Sequence, residues 1–145
     1  MKEFLLEALK AAKKAESQNE VPVGAVVVHD GIVIATGSND RETNQNPTGH
    51  AEMHALKAAA AHLKSWRLID CDLYVTLEPC PMCLSACQQA RVRKVVYAAK
   101  DEKGGAICLG FHVHNHPQLN HRFEVIYEPL AECSQILKDF FKKMR

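Results

Sequence analysis

The chain lacks a dominant charge: 18 lysines and arginines stand against 17 aspartates and glutamates, a formal net charge of +1. That balance excludes a protein that coats nucleic acid through a generally basic surface, and equally an acidic solvating tail, so any contact with a polyanion has to be a local patch. A long uninterrupted apolar run is lacking too. Within the first twenty residues Glu3 and Glu7 break the stretch that would otherwise serve as a secretory or membrane-spanning segment, which places the expected location in the cytoplasm with no membrane partner. No repeat or low-complexity segment appears. A length of 145 residues suits one domain, 1–145, that buries a core without disulfide staples. The six cysteines are then expected to be free, catalytic or metal-bound rather than paired.

What is present reads as alternating helices and strands. Leu5, Ala8, Leu9 and Ala12 recur at helical spacing and predict an amphipathic N-terminal helix. Val23–Val28 and Ile32–Ala35 are β-rich runs joined by Asp30-Gly31, a pair suited to a tight hairpin. The polar stretch Gly37–Gly49 predicts a loop, followed by an alanine-rich helix over Ala51–Leu63 that Thr48 or Gly49 would introduce. Leu73–Leu77 predicts a buried strand, Pro81–Ala90 a helix and Lys94–Ala98 a further strand. After an irregular stretch from Gly104 to Asn120 come a last strand, Arg122–Tyr127, and an amphipathic helix, Leu130–Met144. The expected fold class is α/β: a mixed five-stranded sheet in a three-layer α/β/α sandwich, antiparallel at its first hairpin and parallel later.

The chemistry concentrates in two short motifs, His50-Ala51-Glu52 and Pro79-Cys80-Pro81-Met82-Cys83. Two residues between the cysteines let both sulfurs reach one ion, and His50 offers a third ligand. Three protein ligands leave tetrahedral zinc one open position, the mark of a catalytic rather than a structural site. Pro81 suits the first position of a helix, whose N-terminal amides favour thiolates. Glu52, two residues beyond His50, can approach the ion's substrate position without binding the metal and is the candidate general acid/base. His-x-Glu followed by Pro-Cys-x-x-Cys is the signature of zinc-dependent nucleobase deaminases. A closed site with Cys87 as fourth ligand is the structural alternative, and it leaves Glu52 without a role. Cys71, Cys87, Cys108 and Cys133 otherwise read as small buried residues.

Through E-V-P-V-G-A-V-V-V, P-T-G-H-A-E-M, L-Y-V-T-L-E-P-C-P-M-C and N-H-R, the sequence resembles the bacterial tRNA adenosine deaminases over almost its whole length. The resemblance implies the cytidine-deaminase-like fold, one zinc ion per chain, a homodimer, and conversion of adenosine to inosine at the wobble position of an arginine tRNA anticodon. It implies further that Asn39 contacts the target nucleoside and Asp101 faces the RNA backbone near the flipped base. Arg41, Phe140, Phe141 and Arg145 align with positions that touch the anticodon loop, where arginine meets phosphate and aromatics stack on splayed bases. Core packing is an equal reading of the two phenylalanines. His116-Pro117 and Asn120-His121-Arg122 follow the family's H-P and N-H-R pattern in a loop bordering the substrate channel, a better reading of the run His112, His114, His116 and His121 than a second metal site. The chain departs from the family at Ser38, at Gly49, where alanine is usual, and across Ile107–Val113.

Two other functions share these motifs. A deaminase of a free base or nucleoside, such as guanine, cytosine or cytidine, uses the same zinc core, and a C-terminal helix closing the pocket mouth would favour it. A non-catalytic, zinc-stabilised RNA-binding subunit would need the ligands but not Glu52.

Overall fold

Asp30 and Gly31 take φ values of 53° and 74°, the left-handed pair that a two-residue hairpin requires, in the computed structural model, which describes residues 1–145. The hairpin joins β1 (Gly24–His29) to β2 (Ile32–Ser38), antiparallel from Gly24 opposite Ser38 to His29 opposite Ile32, with a bulge between Val27 and Val28. β1 also pairs antiparallel with β3 (Cys71–Val75). β3, β4 (Lys94–Tyr97) and β5 (Glu124–Tyr127) then run parallel, giving the order β2-β1-β3-β4-β5. β1 and β3 are the central strands, and their Val-, Ala- and Leu-rich runs are buried on both faces.

Helices cover each face. α1 (Lys2–Ser17) lays an alanine-rich stripe so close to the sheet that a Cβ on Gly24 would stand 2.1 Å from the Ala8 carbonyl oxygen. α2 (Ala51–Leu63) approaches Gly37 equally closely, where a Cβ would lie 2.1 Å from the Ala51 carbonyl oxygen. Gly37 pairs with Ala25, one residue from Gly24, so the two approaches fall on opposite faces of the sheet. α3 (Pro81–Ala90) packs beside α2, and α4 (Ala131–Lys143) beside α1. The result is the mixed three-layer α/β/α sandwich expected from the sequence. No helix is long and apolar enough to cross a membrane.

The differences from the sequence reading lie at element ends. β2 continues past Ala35 to Ser38, because pairing with β1 carries the chain as far as the glycine that α2 needs. β3 starts at Cys71 and ends at Val75, two residues early at each end. The chain leaves the sheet at Thr76, whose hydroxyl accepts a hydrogen bond from the Gly24 amide at 3.1 Å, and so delivers Cys80 to the start of α3. The connection from β4 to β5 carries only a 3-10 turn, Val113–Asn115.

Candidate active site

α2 and α3 begin at the same place. His50 is the N-cap of α2, with φ −87° and ψ 152°, and Cys80 the N-cap of α3, with φ −71° and ψ 169°. His50 thus takes the capping position, rather than Thr48 or Gly49. An N-cap residue has extended backbone, so its side chain sits over the end of the helix where free amides and the positive dipole end collect. Pro81, which has no N–H to leave unsatisfied, occupies the first turn of α3, and Cys83 follows within that turn. Cys80 Sγ and Cys83 Sγ lie 3.5 and 3.4 Å from His50 Nδ1.

The three ligand atoms lie within 4.8 Å of one another and form a group that can hold a metal ion. Their protonation fits that role. Hydrogen bonding from Cys83 holds the Cys80 thiol down to about 4 against the opposing effect of burial, and His50 reinforces it. The same contact with Cys80, together with burial, pushes Cys83 up, and the hydrogen bond to Cys80 raises His50. Two sulfurs and an imidazole therefore compete for protons in one small volume, and a cation among them lets both thiols ionise. Cys87 lies outside the group, fully buried, with burial raising its thiol. The four histidines at 112, 114, 116 and 121 form no such group.

Glu52 sits in the first turn of α2 at 3 % exposure, and burial pushes its carboxyl up to about 7. A carboxyl poised near neutrality both accepts and returns a proton at little cost, which is what a general acid/base needs. Glu52, His50 and Cys80 line a cavity of about 180 Å³ with apolar walls from Val21, Val23 and Leu77. Asn39, Arg41 and Asp101 line it as well.

A half-buried trio that can hold a metal ion, a neutral-range carboxyl and an adjoining cavity with apolar walls are the parts of a hydrolytic base deaminase. Comparison with known proteins agrees. The family model of MafB19-like deaminases matches residues 2–145. A tRNA-specific adenosine deaminase of Aquifex aeolicus is 46% identical over 142 residues, covering 98% of this chain and 94% of that one. The chain belongs to the tRNA-specific adenosine deaminase family. Its fold superposes with TM-score 0.88 and 41% identity on a structure from work on A-to-I editing by tRNA:A34 deaminases at the wobble position of transfer RNA, covering 94% of this chain and all of that one. Guanine deaminase from Bacillus subtilis shares the fold at TM-score 0.67 and 31% identity, over 97% and 93% of the two chains.

The remaining residues that the family resemblance singled out are dispersed. His116 lines a separate depression with Pro81, Ser85 and Phe111, and Asn120 is exposed on the segment that follows. Phe140 is buried in α4, edge-to-face with the exposed Phe141 at 5.4 Å, and Arg145 ends the chain in solvent. None of these five reaches the 180 Å³ cavity. His121 approaches the Val92 carbonyl oxygen at 2.7 Å and stacks on Phe123, a packing role. Cys108 is exposed rather than buried, because the segment after Asp101 runs over the surface, and its thiol donates to Glu78 at 3.0 Å.

Sequence reasoning missed the groups that hold the cavity rim. Asp40 and His54 meet at 2.6 Å, tying the loop after β2 to the second turn of α2. Hydrogen bonding from His54, ahead of that from Asn44, holds the Asp40 carboxyl below its ordinary range. A Cβ at Gly49 would stand 2.3 Å from Asp40 Oδ1, so the glycine that departs from the family leaves room for this contact. Glu20 and Glu78, which fall within the family motifs E-V-P-V-G and L-E-P-C without a role read from the sequence, anchor two further segments.

Proposed function

We propose that the protein converts adenosine to inosine at the wobble position of an arginine tRNA anticodon, as a cytoplasmic homodimer with one zinc ion in each single-domain chain. The observation that carries this reading is Glu52: a buried carboxyl with its pKa near 7, beside the His50, Cys80 and Cys83 donors, and open to a cavity. The donor set fits zinc, since two thiolates and an imidazole match its preference for S and N ligands, and three ligands leave a position open. Zinc held there supplies Lewis acidity towards water.

The chain's own residues do the rest. His50 and Cys80 orient the donor set from two helix N-termini, and the apolar walls limit competing water around the base. Glu52 takes one proton from the attacking water and passes it to the ring nitrogen, then takes the second from the new C6 hydroxyl and passes it to the departing amine. The C6–O bond forms, the C6–N bond breaks, and ammonia and inosine result. Asn39 offers an amide to the nucleoside. Arg41 and Asp101 face the surrounding nucleotides, while His116, Asn120, Phe140, Phe141 and Arg145 contact the anticodon loop farther out or across the dimer.

Deamination of free guanine is the second reading, supported by the likeness to the Bacillus subtilis enzyme. Against it, no residue of α4 lines the cavity, so the C-terminal helix does not close the mouth that a looped-out nucleotide would enter. The deciding experiment measures inosine in an ACG-anticodon stem-loop, with free adenosine, cytidine and guanine alongside and the active species sized by sedimentation. The stem-loop is expected to be edited by a dimer, and Glu52→Ala to lose about 10²- to 10⁴-fold in rate while keeping its zinc. Guanine turnover without editing would replace the substrate, and a fully active monomer would remove the dimer.

A further inference from the structure

Glu20 and Glu78 are buried at 1 % and 2 % exposure, and neither forms an ion pair with a lysine, arginine or histidine. A buried charge without a cationic partner is costly unless hydrogen bonds to it are strong and numerous. Both residues meet that need in the same way, by accepting from the backbone of a loop that borders the cavity. Glu20 Oε1 accepts from the Glu42 amide at 3.2 Å and Oε2 from the Thr43 amide at 2.6 Å, with the Thr43 hydroxyl as a third donor. Glu78 Oε1 accepts from the Asp101 amide at 3.1 Å and from the Cys108 thiol at 3.0 Å, and Oε2 from the Cys108 amide at 2.9 Å.

The anchored segments carry the cavity's polar rim, and Glu78 itself also lines the cavity. The loop held by Glu20 presents Asn39 and Arg41, and the loop held by Glu78 presents Asp101. Each loop turns tightly around its anchor. Asn46 N–H donates to the Arg41 carbonyl at 3.0 Å on one side, and Gly105 N–H to the Asp101 carbonyl at 2.8 Å on the other. Gly105 has to be glycine, since a Cβ there would stand 2.0 Å from Glu78 Oε2.

We propose that Glu20 and Glu78 are paired positioning residues that fix the two rim loops of the cavity, and thereby determine recognition of the RNA around the reacting adenosine rather than the chemistry at its C6. The inference rests on the RNA-editing reading above. It explains why two carboxylates stay buried where no mechanism uses them. Glutamine tests it sharply: its single oxygen can take one loop amide, but its NH₂ opposes the other amide and leaves it unpaired.

The experiment compares wild type with Glu20→Gln and Glu78→Gln, each zinc-loaded, by steady-state editing of the ACG stem-loop and by amide hydrogen exchange without substrate. KM is expected to rise about tenfold or more in each variant while kcat falls less than threefold, the signature of lost binding rather than lost transition-state stabilisation. Exchange at Asp101 and Cys108 in Glu78→Gln, and at Glu42 and Thr43 in Glu20→Gln, is expected to accelerate at least tenfold. A fall in kcat at unchanged KM, or unchanged exchange, overturns the proposal. Should Glu78→Gln fail to fold, Gly105→Ala displaces the same carboxylate and is read against the same criteria. Wild-type protein that leaves the stem-loop unmodified sinks the RNA-editing reading instead, and the anchors are then judged on exchange alone.

Discussion

The floor and the rim of the cavity reach their shapes by different routes. His50, Cys80 and Cys83 are placed by the first turns of two helices, where capping backbone and a proline decide the direction of each side chain within a few residues. Asn39, Arg41 and Asp101 sit on loops whose paths are held by hydrogen bonds from 22 to 30 residues away. The floor is therefore stiff through regular structure, and the rim through a handful of buried carboxylate contacts. On the proposed function, this division is expected to separate chemistry from recognition: a change in the floor should remove reaction, and a change in the rim should shift affinity.

The largest expected effect comes from the floor. Cys83→Ala leaves two donors at a position that is fully buried, so zinc content measured by atomic absorption is expected to fall well below one per chain and turnover to background. Full metal occupancy with normal editing would show that Cys83 is a packing residue and that the ion, if any, sits elsewhere. The contrast with Glu52→Ala, which is expected to keep the metal and lose the rate, divides the floor itself into ligands and proton carrier.

A smaller effect is expected at the rim. Arg41→Ala removes a cation from the cavity wall without touching the donor set. Stem-loop affinity should weaken about 10- to 100-fold, the range of a charge-assisted hydrogen bond of about 1.5–3 kcal/mol. The dependence of log affinity on log salt should flatten by about 0.7–0.9, the change that follows when one phosphate is no longer neutralised by the protein. An equal loss in kcat would erase the proposed division between floor and rim.

The same division governs what the sequence makes legible. His50-Ala51-Glu52 and Pro79-Cys80-Pro81-Met82-Cys83 can be read because helix starts and two-residue ligand gaps are local, and the residue types that perform them are few. The alternating elements and the Asp30-Gly31 hairpin are legible for the same reason. The roles of Glu20 and Glu78 are not, although both fall within the family motifs, because what they bind is mainly backbone N–H, which every residue but proline supplies, so the partner segments are not marked by their sequence. Gly24 and Gly37 are similarly silent: only the arrival of α1 and α2 reveals why no side chain fits. Cys108 read as buried because cysteine usually is, whereas its place follows from a surface path that Glu78 imposes from 30 residues away.

The smallest expected effect concerns stability and tests whether the rim depends on an ionised anchor. For Glu20, burial raises the carboxyl pKa, but the Thr43 hydroxyl and the amides of Thr43 and Glu42 outweigh it and leave the group below its ordinary value. A depressed folded pKa means that ionised Glu20 stabilises the fold above the ordinary glutamate range, near pH 4, and that this contribution disappears as pH falls through the folded value. Glutamine resembles the protonated acid. In urea unfolding of the zinc-free proteins, wild type should exceed Glu20→Gln by about 1 kcal/mol at neutral pH, the net worth of one hydrogen bond. That gap is expected to narrow as pH falls below the ordinary glutamate range and to close once it passes the folded value, since both side chains are then uncharged and present the loop with a single acceptor oxygen. A gap that stays constant from pH 7 to pH 3 would mean that the loop is held by the shape of its turn and not by the charge on Glu20, and the rim would then be stiff for the same local reasons as the floor.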